Sequence, residues 1–170
     1  MKKPIIGLFG TCGNSTWRQQ FITEYNKFKI EYFNPQVENW SPDDAVKEAN
    51  HLANDEIILF PITNETYASG SLSEVGFSIL NAIKLDDRRD FIILIDTDLT
   101  EQLKNDNPVA AKESIRARAL VKEHLKKLRL SNLYLVESLT EMLTVSLSLY
   151  PCAIVRNKLK YLNPHSEISK

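Results

Sequence analysis

Short apolar runs alternate along this chain with longer stretches of helical periodicity. The runs fall at residues 5–9, 30–33, 56–60, 91–95 and 133–136. Their length and their Ile, Leu and Phe content fit strands buried on both faces of a parallel sheet. The stretches between them carry helix-start signals. Ser41-Pro42 and Asn107-Pro108 each set an N-cap residue before proline at the first helical position. Ser138-Leu139-Thr140-Glu141 has capping-box spacing. From Val109 to Leu128, apolar residues recur at Ala111, Ile115, Ala119 (or Leu120) and Leu125, close to the 3.6-residue period. The pattern predicts an α/β fold: a three-layer α/β/α sandwich on a five-stranded parallel sheet, in the flavodoxin-like order 2-1-3-4-5. Residues 1–150 form the expected domain. Residues 151–170, beginning at Pro151, read as a polar C-terminal tail.

In open parallel sheets, ligands bind beyond the carboxyl ends of the strands, near the switch point between strands 1 and 3. Residues 10–18, 34–40 and 61–74 converge there in this topology. Residues 97–107 and Glu137 are expected at the rim. In the first loop, Gly10 and Gly13 permit turn conformations, and Ser15 or Thr16 can cap the following helix. Free N–H groups at that helix start, at Gly10, Thr11, Asn14 and Ser15, suit an anion or a sugar hydroxyl. Arg18 adds a cation if it faces the cleft, which would favour a 5′-phosphate. The same residues also make an ordinary tight turn with an N-cap. In the second loop, Asn34 and Gln36 can donate to and accept from hydroxyls or base edges, and Trp40 offers a flat stacking face. A polar surface turn is the alternative there.

Ser71-Leu72-Ser73-Glu74 fits the S-x-x-E capping box, with Ser71 as N-cap and Glu74 at the third helical position. Glu74 then either bonds the Ser71 amide or stands at the mouth of the cleft as an ionised carboxylate. In the first helical turn its pKa is expected to fall. Such a carboxylate suits displacement at an anomeric carbon.

The composition narrows the setting. With 170 residues, 43% apolar and 25% charged, the chain reads as one soluble globular domain without repeats. Twenty-one Lys and Arg against 22 Asp and Glu give a charge of -1, which does not support a nucleic-acid polymer or a membrane surface as partner. No run is long enough to span a bilayer, and the residues after Met1 lack a secretory pattern, so a cytoplasmic location is expected. Cys12 and Cys152 build no disulfide framework, and no Cys/His cluster has metal spacing. His51, His124 and His165 stand in no partner motif for a Cys12 nucleophile.

Gly-Thr-Cys-Gly-Asn-Ser-Thr-Trp-Arg, Asn-Pro-Gln-Val-Glu-Asn-Trp and Gly-Ser-Leu-Ser-Glu-Val-Gly, in this order, resemble the nucleoside 2-deoxyribosyltransferase-like family. The resemblance covers roughly the first half of the chain. It implies a flavodoxin-like homo-oligomer, a dimer or larger. It also implies cleavage of the N-glycosidic bond of a small-molecule nucleoside or nucleotide, with the sugar passed to another base or to water. The family's Gly-x-x-x-Glu-x-Gly segment maps onto Gly70, Glu74 and Gly76. Glu74 is the implied nucleophile, Gly70 and Ser71 are candidate substrate-binding residues, and Asn34 and Ser71 are expected to hold the sugar. Glu48 matches the family's acidic residue that handles the base, with Asp55 as second choice. The tyrosine that often follows strand 1 in the transferases is absent, and residues 165–170 match no tail of theirs. No metal or redox cofactor is implied. The alternative is a non-catalytic nucleotide or nucleotide-sugar binding protein of the same fold. An interaction domain without a small ligand ranks third.

Overall fold

The computed structural model describes residues 3–13, 15–39, 41–86 and 88–162. Five parallel strands, β1 (Ile5–Leu8), β2 (Glu31–Phe33), β3 (Ile57–Ile62), β4 (Asp90–Ile95) and β5 (Leu133–Val136), pair in the order β2-β1-β3-β4-β5. This is the expected flavodoxin-like order. β3 and β4 are buried at every position, as their unbroken apolar sequence requires.

Two apolar layers flank the sheet. One packs α1 (Trp17–Phe28) and α7 (Leu139–Leu159) over Ile6, Leu8, Ile57, Leu59, Ile92 and Leu94. The other packs Ile58, Phe60, Ile62, Phe91, Ile93 and Ile95 against Val75, Ile79, Ile83 and Leu125. Alternation along each strand divides its side chains between the layers. The second layer is formed by α2 (Pro42–Asn54), α3 (Ser69–Glu74), a π-helical turn (Val75–Ile79), α4 (Leu80–Leu85) and α6 (Pro108–Lys127).

Three start signals act as expected. Ser41 and Asp44 close a capping box in which the Ser41 N–H and Oγ donate to Asp44 Oδ2 at 3.0 and 2.8 Å. Asn107 Oδ1 accepts from the Ala110 amide at 3.1 Å, and Ser138 Oγ from the Glu141 amide at 3.1 Å.

Four expectations are corrected. The 97–107 segment contains a short helix, α5 (Glu101–Asp106), capped by Thr100. β3 runs through Pro61 to Ile62. Proline is tolerated there because it stands beyond Leu8, where β1 ends, and its carbonyl still takes the Thr11 amide at 2.8 Å. No tail begins at Pro151: α7 continues through it to Leu159, followed by a 3-10 turn at Lys160–Leu162. Burial of Ala153 and packing of Ile154 offset the lost bond at proline. The inward face of α6 is Ala111, Ser114, Arg118 and Leu125; Ala119 and Leu120 point outward.

Candidate functional site

The loop after β1 is shaped by two constraints. Gly10 has φ +90°, and a Cβ there would overlap Pro61 O. Thr11 then laces the loop to β3: its amide and Oγ1 both donate to Pro61 O, at 2.8 and 3.1 Å, and its Oγ1 accepts from the Thr63 amide at 2.9 Å. Gly10→Ala is therefore expected to cost about 2–4 kcal/mol, from left-handed backbone strain plus the overlap. Urea denaturation checks it, and a loss under about 1 kcal/mol would contradict the geometry.

Arg18 does not face solvent. It is 1% exposed, and its Nε donates to Leu8 O at 2.9 Å, its Nη1 to Thr11 O at 2.7 Å and its Nη2 to Cys12 Sγ at 3.5 Å. The guanidinium lies 4.5 Å from the Trp17 ring centre, while Trp17 Nε1 shares Thr11 O at 3.0 Å. Burial lowers the Arg18 pKa, against the opposing pull of Cys12 and Glu48. The expected phosphate cation is instead a staple that holds the loop's shape.

The loop after β3 is held in the same way from the other side. Arg118, on α6, is fully buried. Its Nη1 donates to Ile62 O and Asp96 O at 3.2 and 3.0 Å, and its Nη2 to Thr63 O and Thr66 O at 3.0 and 2.7 Å. Its Nε bonds Ser114 Oγ, which itself donates to Tyr67 O at 2.8 Å. The α5 region adds Tyr67 Oη to Leu103 O and the Thr100 amide to Asn64 O. The two loops meet at Glu65, whose Oε2 accepts from Ser15 Oγ and, at 2.9 Å, from Thr63 Oγ1. Gln36 Nε2 ties the second loop to Gly13 O at 3.0 Å, and Asn34 Oδ1 caps the Gln36 amide at 3.1 Å.

The capping box at Ser71 is absent. Ala68, in left-handed backbone at φ 54°, is the N-cap, so the helix begins at Ser69. Glu74 is then the last residue of α3, past the reach of the positive helix end. It makes no hydrogen bond among the described residues. Glu74 is exposed, yet its pKa is raised, not lowered as expected: the atoms packed around it weaken its hydration in part, and the charge of Glu48 on α2 adds to the effect. Glu48 also acts on Arg18, so α1, α2 and α3 bring these three groups into one neighbourhood. A Cβ at Gly70 or at Gly76 would meet open space, so the helix surface beside Glu74 is bare. The π turn follows at once, with the Leu80 amide bonded to Val75 O.

Asp55 belongs elsewhere. It is 2% exposed, paired with His51 Nδ1 at 2.9 and 3.1 Å and set against Gly7 under the Phe33–His51 stack. Burial pushes its pKa up to about 6, against the opposing pull of His51. Hydrogen bonds thus link the loops that carry Gly10, Thr11, Ser15, Asn34 and Gln36, while Gly70 and Ser71 share α3 with Glu74, on which Glu48 acts; Asp55 sits apart, before β3. Asn14, Trp40 and residues 165–170 lie outside the described residues. Glu65 and Arg118 join the site without a motif in the sequence to mark them. No group of acidic, Cys and His side chains among the described residues could hold a metal ion, and no described helix is long and apolar enough to cross a membrane. Neither a family model nor a curated protein matches this chain.

Proposed function

We propose that the chain cleaves the N-glycosidic bond of a nucleoside and passes the sugar to a base or to water, through a glycosyl ester on Glu74. The observation that carries this reading is a carboxylate, Glu74, without a hydrogen bond among the described residues and under the charge of a second, Glu48, on the helix that follows β3 where the strand order reverses. The resemblance to the nucleoside 2-deoxyribosyltransferase-like family supports it. So does the π turn after Glu74, since such turns concentrate at functional sites.

Glu74 Oε attacks C1′ as the C1′–N bond breaks and its electron pair leaves with the base. A water molecule held by Glu48 gives its proton to the departing nitrogen. The hydroxide left behind then attacks C1′, or takes the N–H proton of a second base that does, and Glu74 returns as carboxylate. Asn34 and Ser71 hold the sugar. The three loops carry one cation, Arg18, which is sealed, against Glu38, Glu65 and Glu74. That balance favours a neutral nucleoside over its 5′-monophosphate, whose charge these acids would repel.

The test is release of free base from a panel of nucleosides, deoxynucleosides and their monophosphates. Release from nucleosides ahead of monophosphates is expected. Ligand-induced thermal stabilisation with no release from any of them would point to a binding protein.

The reaction needs ionised Glu74, so the acid limb of kcat/KM is expected above the ordinary glutamate range, with activity rising as pH rises through it. Glu48→Gln removes the repelling charge. The limb of its residual activity should move to lower pH, and an unmoved limb would contradict the coupling.

A further inference from the structure

At the amino end of the sheet, remote from Glu74, α1, the segment before β1 and the end of α7 enclose a cavity of about 400 Å3. That lies within the size range of small-ligand sites. Its walls are Pro4, Phe28, Tyr150 and Ile154, and its rim holds Lys3, Lys29 and Lys158. Phe28 is 63% exposed, a large apolar surface left open to water on this wall. Lys3 is engaged with Glu31 at 3.3 Å. The ammonium groups of Lys29 and Lys158 have no ionic or hydrogen-bonded partner among the described residues. Tyr150 is 7% exposed; its hydroxyl accepts the Glu31 N–H at 3.3 Å, and its own proton has no acceptor among the described residues. Asn157, between this cavity and its neighbour, spends its amide N–H on Glu56 at 2.9 Å.

The neighbouring cavity, of about 560 Å3, differs in that its arginines are committed. There Arg156 pairs with Asp90, Arg88 with Asp86, and Arg89 donates to Asp55 O and Leu52 O, so the commitment is that of its three arginines; Lys160 also lines it. The smaller cavity instead combines an apolar lining, two uncommitted ammonium groups and an unspent hydroxyl proton.

We propose that this cavity binds a small organic carboxylate carried on a compact apolar body. The apolar part covers Phe28, Pro4 and Ile154, and the head meets Lys29, Lys158 and the Tyr150 hydroxyl. A cation is repelled, and a bare anion lacks the part that covers Phe28. The site is independent of the reaction at Glu74 and stands or falls separately from it.

The experiment titrates the full chain with 3-phenylpropionate, octanoate, phenethylamine and inorganic phosphate, followed by amide chemical shifts. Vesicles containing anionic phospholipid are assayed in parallel by sedimentation. Saturable shifts centred on residues 28–31 and 150–158 are expected with both carboxylates and not with phenethylamine or phosphate. The double variant Lys29→Glu/Lys158→Glu, whose changes are on the surface, should weaken the carboxylates about tenfold or more without lowering thermal stability. Phe28→Ala should weaken them as well. Equal binding of the amine, unchanged affinity in the double variant, or binding to vesicles without response to either soluble carboxylate would overturn the proposal.

Discussion

Glu74→Ala is expected to lower base release by at least about 10³-fold while leaving the fold intact. The two halves of this prediction come from the same environment. Glu74 makes no hydrogen bond among the described residues, so its removal orphans no partner. Its raised pKa means that the folded chain disfavours the ionised form, so at neutral pH the carboxylate works against stability. The variant should therefore melt at the same temperature as the parent or slightly higher. A capping glutamate would behave in the opposite way, with stability falling and activity retained. Measuring both properties on one preparation separates the two roles.

Arg118→Met is expected to destabilise the chain by about 3–5 kcal/mol, more than the strain introduced by Gly10→Ala. Methionine fills a similar length but takes the guanidinium donors from Thr63 O, Thr66 O and Asp96 O and leaves Ile62 O with the Asp96 amide alone. Arg118→Lys keeps the charge and loses the planar fork, so its stability should fall between parent and methionine variant. Because three of these carbonyls, those of Ile62, Thr63 and Thr66, begin or belong to the loop that carries Glu65 and leads to Glu74, base release should fall in Arg118→Lys more than its stability does. Equilibrium urea unfolding gives the stability. A loss below about 1 kcal/mol for the methionine variant would show that the loop is held by something else.

The sheet was legible because the five apolar runs have strand length and no polar interruption, and right-handed crossovers leave few ways to order them. The caps at Ser41, Asn107 and Ser138 were legible because each is completed within a few residues. The Ser71 box has the same local grammar, yet Ala68 preempts it: a left-handed residue closes the turn early, and the helix is already running when Ser71 is reached. Pro151 misleads for a similar reason. The cost of proline is local, whereas the packing of Ala153 and Ile154 that outweighs it is tertiary.

The candidate site was half visible. Gly10, Thr11, Glu48 and Glu74 can be named from spacing and resemblance, but what holds them cannot. The burial of Arg18 and Arg118 is hidden in the sequence because an isolated arginine is seldom buried without a carboxylate. Here backbone carbonyls take the carboxylate's place, and those carbonyls are set by the fold. One signal exists for Arg118. It stands seven residues after Ala111 and seven before Leu125, on the stripe that faces the core. Glu65 gives no such signal, since its partners Ser15 and Thr63 come from two separate loops.

The most direct measurement is mass spectrometry of the chain after incubation with a 2-fluoro-substituted nucleoside, which slows breakdown of a glycosyl ester more than its formation. The account predicts a mass increase of one fluorinated sugar, located by peptide mapping on Glu74 and missing from Glu74→Ala. Base release from natural nucleosides with no adduct, or with the adduct on another residue, would contradict it.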